Sequence, residues 1–161
     1  YTSEDKYYVF REQDSILSTG ENKGTVIGGT KLTIYFKNFY DPSNLRAKCW
    51  FEHKTDPTKY FDVLAESSLA TPTSITCISP KADTIDTNIG LNGGEVLVWI
   101  SSNGYEFSLE NDKTFIYQPL PFINQVTPEY VFIDVSTTKL TLYGINFINV
   151  STRYATFTFD Q

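Results

Sequence analysis

The sequence has no methionine, one histidine (His53) and two cysteines in 161 residues. No apolar run reaches the roughly 18 residues that a membrane-spanning helix needs, so direct membrane insertion of this stretch is not expected. Positive charge is also scarce. Thirteen Lys and Arg stand against nineteen Asp and Glu, a net charge of −6. Phosphate binding needs clustered basic residues, so nucleic acid is not an expected partner. There is no Gly-rich phosphate loop, no Cys/His metal cluster and no G-x-S-x-G elbow. His53 lies beside a turn and next to Lys54, and reads as a surface residue rather than a base. Asp14, Asp41, Asp56 and Asp86 are scattered, without the D-x-D-x-D-G spacing of a calcium loop; calcium held between modules stays open. The expectation is a protein with no catalytic site and no cofactor. Tyr1-Thr2-Ser3-Glu4 is neither a signal peptide nor an initiator. It begins in mid-pattern, and reads as part of something longer.

What the chain has in quantity is rings. Aromatic residues make up 16%, with 11 Tyr and 12 Phe. Rings pack well on pleated surfaces, which favours strands, and no long stretch carries a helical period. One stretch organises the rest. Residues 28–39, GGTKLTIYFKNF, return as residues 136–147, STTKLTLYGINF. Each copy starts with small residues and then alternates. Leu32, Ile34 and Phe36 fall on one face, and Lys31, Thr33 and Tyr35 on the other. Period two marks a strand with one buried face. In each closing Asn-Phe pair the aromatic is expected to plug a sheet end and the Asn to fix a turn. The separation of the copies is that of one small domain.

Around this stretch the chain reads as short strands. Residues 5–10 resemble residues 112–117, so residues 1–12 are expected to close a preceding module. Strands are expected over 30–37, 45–53, 58–64, 73–79 and 95–102, with a leading strand and a loop in 14–27. Residues 38–44 and 53–57 read as turns. Residues 81–94 read as a long loop. Asn103-Gly104 is a strong hairpin signal, predicting a strand over 105–109 and another over 113–117. The pattern then restarts, with strands expected within 119–128 and over 138–145 and 152–159. This order predicts an all-β, immunoglobulin-like β-sandwich. Residues 13–118 would form a complete module, and residues 119–161 the first half of the next.

Cys49 and Cys77 lie in strand-like runs, AKCWF and SITCIS. A bridge between them is expected, with two buried free thiols as the alternative. It would contribute about 3–4 kcal/mol by chain entropy and would belong outside the reducing cytosol. Asn149-Val150-Ser151 is an N-glycosylation sequon in an expected turn, so Asn149 is the candidate glycan site. Trp99 lies in an apolar run and reads as core. Trp50 falls on the opposite face from Cys49, and is a candidate contact for a neighbour or a glycan.

These motifs resemble the IPT/TIG family, immunoglobulin-like modules shared by plexins, related receptors and some transcription factors. The resemblance covers the whole of the complete module. It rests on the Gly-Gly-Thr strand ending in Asn38-Phe39, on Cys49-Trp50-Phe51, and on Ile75-Thr76-Cys77-Ile78-Ser79-Pro80. It continues through Val96 to Ile100 and through Phe107 to Phe115-Ile116-Tyr117. Pro121-Phe122-Ile123 and Gly144-Ile145-Asn146-Phe147 carry it into the next module. Two departures stand out: Phe36 sits where the family usually has Gly, and Phe157 falls at the position matching Cys49. The resemblance implies a binding or spacer module without catalysis. The expected setting is extracellular or at the cell surface, and the expected partners are neighbouring copies or modules of the same protein. A structural or adhesive array is the first reading. A spacer or ligand-binding part of a plexin-like receptor ectodomain is the alternative.

Overall fold

The computed structural model describes residues 12–37, 47–66, 73–108, 112–130 and 139–147. They divide into two units, Tyr1–Pro119 and Leu120–Gln161. The strands of the first unit are β1 (Ser15–Thr19), β2 (Lys23–Thr25), β3 (Lys31–Lys37), β4 (Lys48–His53), β5 (Asp56–Leu64), β6 (Ser74–Ile78), β7 (Gly94–Ser101) and β8 (Thr114–Gln118). One sheet runs β1-β3-β6 and the other β2-β8-β7-β4-β5. All pairs are antiparallel except β2 with β8.

Alternation explains the pairing of the sheets. Leu32, Ile34 and Phe36 of β3, with Ile75 and Cys77 of β6, are buried from one side. Cys49, Phe51, Val96, Val98, Ile100, Phe115 and Tyr117 are buried from the other. Inward and outward residues alternate along both sheets, as a sandwich requires. The all-β, immunoglobulin-like sandwich is therefore the fold. Cys49 of β4 and Cys77 of β6 are joined by a disulfide, which ties one sheet to the other. The Tyr117 hydroxyl donates to the Pro80 carbonyl at 2.9 Å inside the core. Burial there pushes the phenol pKa well above its ordinary value.

Several elements differ from the sequence reading. The stretch 81–94 is not simply a loop. It holds a 3₁₀ turn, Ala82–Thr84, and a helix α1, Thr87–Asn92. Six residues are too few to show a helical period. The Asp86 side chain caps α1 by accepting from the Asn88 and Ile89 amides, at 2.8 and 3.3 Å. Asp56-Pro57 begins β5 rather than ending a turn. β5 is an edge strand, where the missing Pro N–H costs no ladder bond. The strand expected over 105–109 does not form in its described part, 105–108. Instead the Asn103 side chain accepts from the Tyr105 and Glu106 amides, both at 2.9 Å, closing a local turn that competes with a hairpin ladder. Trp99 is not core. Val96, Val98 and Ile100 point inward, so parity turns Trp99 to the outer face, where it is half-buried.

The second unit contributes β9 (Phe122–Thr127) paired antiparallel with β10 (Thr141–Ile145). Its register repeats that of β1 with β3. Ile16↔Phe36 returns as Ile123↔Gly144, Ser18↔Tyr35 as Gln125↔Tyr143, and Thr19↔Ile34 as Val126↔Leu142. Even the bulge recurs, skipping Leu17 in β1 and Asn124 in β9. Gly144 stands where Phe36 stands in the first copy. A Cβ there would come within 2.0 Å of the Phe122 carbonyl oxygen and 3.0 Å of the Phe147 ring. Asn146 takes the left-handed conformation (φ 62) and its side-chain amide donates to the Leu120 carbonyl at 3.0 Å. The Asn of this closing pair thus fixes the end of β10. Its counterpart Asn38 lies outside the described residues, as do the expected strands at 5–10 and 152–159.

Candidate functional site

The outer face of the five-stranded sheet carries an aromatic cluster. Period two on β4 turns Lys48, Trp50 and Glu52 outward, because Cys49 and Phe51 face the core. The register sets Trp50 directly opposite Trp99 of β7. Tyr60 of β5 stacks on Trp50 with ring centroids 3.8 Å apart. Phe107 meets Trp50 edge to face at 4.6 Å. Phe107 is held there by its neighbours. The Ser108 amide donates to the Ile100 carbonyl at 2.8 Å, and the Gln13 side chain donates to the Phe107 carbonyl at 2.6 Å. Asp14, itself buried, accepts from the Ser102 amide at 3.0 Å and anchors the same loop.

Trp50, Glu52, Trp99, Phe107 and Ser108 line an open surface groove of about 220 Å³. Burial raises the Glu52 carboxyl pKa above its ordinary value, partly opposed by the Trp50 indole N–H beside it. Neither indole Nε1 makes a hydrogen bond of good geometry, and both are closed to solvent. The charged groups around the cavity are mostly paired. Lys48 meets Asp62 at 2.6 Å, and Lys54 meets Glu95.

Trp50 thus sits at the centre of the cluster. Cys49 and Cys77 lie beneath the sheet, in the core. Asn149 is outside the described residues. His53 ends β4, with its Nδ1 accepting from the Thr55 amide at 3.3 Å. The scattered acids have structural partners: Asp56 accepts from Thr58, and Asp86 caps α1 while pairing with Lys59 at 2.6 Å. Asp41 lies outside the described residues. Among the described residues, no three His, Cys, Asp or Glu side chains come together as a metal site. Sequence reasoning missed Glu52, Trp99 and Phe107 as neighbours of Trp50. The spacing Trp50-x-Glu52 was a signal for the first, but the other two depend on cross-strand register.

No family model and no curated protein matches the chain. Among solved structures, the full extracellular region of plexin A4, domains 1 to 10, is similar over 81% of this chain at 18% identity, with a TM-score of 0.43. This chain spans only 9% of that one. A likeness of that size carries neither fold nor function.

Proposed function

We propose that this chain is a non-catalytic segment of a tandem array of immunoglobulin-like modules, in an extracellular fibre or a cell-surface protein. The observation that carries the reading is the repeated strand pair. β9–β10 reproduces β1–β3 residue for residue, bulge included, just after β8 closes the first sandwich. Unequal folds do not share a bulge position by accident, since bulges are specified features of a strand pair. On this reading residues 13–118 are one IPT/TIG-like module, residues 119–161 open another, and residues 1–12 close a third. The Cys49–Cys77 bridge supports an oxidising compartment. The partners would be neighbouring modules of the same protein. Electron microscopy of the native protein tests this. Beaded rods of repeated modules are expected, and a compact particle holding a single sandwich would overturn it.

The second reading is a ligand-binding or spacer part of a receptor ectodomain, and the aromatic cavity on the outer sheet favours it. The full-length reading frame separates the two. A membrane-spanning segment followed by a cytoplasmic domain supports the receptor, and further repeats alone support the fibre.

A further inference from the structure

Three outward carboxylates lie on or beside the aromatic face of the five-stranded sheet. Asp62 is taken by Lys48, and Glu95 by Lys54. Glu52 lies between those two lysines in sequence, and forms no ion pair with any described residue. It stands instead in the wall of the cavity, with Trp50, Trp99 and Phe107 as the other large walls. Glu52 is drawn only partly out of water, and the Trp50 indole N–H beside it offsets part of that cost, so a cation would add the opposite charge it lacks. The aromatic rings that share this lining carry the negative lobe of the quadrupole on their faces. The Ser108 hydroxyl adds an oxygen, which already accepts from the Ile100 amide at 3.4 Å. The groove therefore brings aromatic rings and a carboxylate to one open space, with one face of Trp50 already covered by Tyr60.

The geometry points to a binding site for an organic cation, a single ammonium or guanidinium head group held among Trp50, Trp99 and Phe107 with its charge toward Glu52. The size agrees. A groove of about 220 Å³ has room for one small head group. An anion would meet Glu52 and a net charge of −6. A neutral sugar would stack on the rings and donate a hydroxyl to Glu52, so it is the competing ligand that the titration must separate from a cation. The head group can belong to a free quaternary ammonium compound or to a Lys or Arg side chain of a partner protein. Both share the chemistry that the site selects. This site stands independently of the array reading, since all its walls belong to the first sandwich.

The chain contains two tryptophans, and both line the cavity. Indole emission of the 161-residue chain therefore reports on this site alone. The titrants are choline, its uncharged isostere 3,3-dimethylbutan-1-ol, arginine amide, lysine amide and methyl glucoside. A saturable emission change with a cation is expected, with a Kd of about a millimolar, and binding about tenfold tighter than that of the neutral isostere. Choline binding tighter than the amides assigns the site to a free quaternary ammonium, and the reverse order assigns it to a basic side chain; either supports the proposal. Glu52→Gln should abolish the tenfold preference while leaving the far-UV spectrum and the neutral isostere's affinity unchanged. If that variant does not fold, the isosteric pair on the unaltered chain decides alone. Equal affinity for choline and its isostere overturns the proposal. So does tighter binding of methyl glucoside than of any cation, and so does no saturable change with any cation up to about 100 mM.

Discussion

At the scale of single residues, the two faces of one strand decide what a side chain is for. Trp99 lies in a continuous apolar run, VLVWI, and a run without polar interruptions does not reveal its own parity. Only the inward Val98 and Ile100 do, once β7 is seen against β4. Phe115 is fully buried between Phe51 and Tyr117, at ring distances of 5.9 and 5.0 Å. Phe115→Ala should therefore cost about 3–5 kcal/mol, the range for deleting a core aromatic. Trp99→Ala should cost about half of that or less, because its ring is only partly withdrawn from water. Equilibrium denaturation of both variants checks the order, and equal losses would put Trp99 back in the core. Tyr117 adds a pH test. Its folded pKa is raised by burial, so the unfolded chain gives up this proton first as pH climbs through about 10. Stability should fall from there upward, because the folded state keeps the proton that the unfolded state has lost. Tyr117→Phe should flatten that part of the alkaline decline, visible as a smaller drop in melting temperature between pH 9 and 11.

At the scale of elements, the strongly alternating strands were legible and the short or local ones were not. β3, β4, β6, β7 and β8 fall where period two and turn chemistry placed them, within a few residues, because each has a buried face that fixes its register. Helix α1 was hidden, since its stability comes from Asp86 and from burying Ile89 rather than from a repeating pattern. The hairpin after β7 was overread, because Asn103 satisfies neighbouring amides with its own side chain. The outer aromatic face was half legible. Trp50 announced itself by parity, while Phe107 and Trp99 needed the register. Asp86 makes the α1 account testable. It caps the helix and pairs with Lys59 of β5, and the lysine hydrogen bond leads the causes that hold its carboxyl below the ordinary value. Asp86→Asn keeps an N-cap acceptor but loses the ion pair, whereas Asp86→Ala loses both. Melting temperatures at neutral pH should rank wild type, then Asn, then Ala. The lead of the wild type over Asn is full above the unfolded carboxylate pKa near 4. It should vanish as pH falls through the lower folded value, since protonation removes the charge that Lys59 holds. A lead that persists in acid would show that the ion pair contributes nothing.

At the scale of the whole chain, the two units differ in what each encloses. Among the described residues, the first buries a cluster of fifteen between its two sheets and the α1 segment, and cross-links those sheets through Cys49 and Cys77. Its central strands β4 and β7 are paired on both sides. In the second, the described sheet has two strands, and Phe122 and Ile145 are 62% and 56% exposed. A two-stranded sheet with an open apolar face is marginal in water, because its ladder bonds are few and little apolar surface offsets the ordering of the chain. The same hairpin register in the first unit is stable because β6 continues the sheet beyond β3 and a second sheet covers its face. Amide hydrogen exchange on the intact chain should therefore separate the units. Amides of β4 and β7 should open only with global unfolding of the sandwich, and those of β9 and β10 should exchange many times faster through local opening. Mild denaturant should narrow the contrast, since it speeds the global opening of β4 and β7, which exposes much surface, more than the local opening of β9 and β10. Equal protection in the two strand pairs would mean that β9–β10 is already completed within these 161 residues, and the case for a further module built on it would be lost.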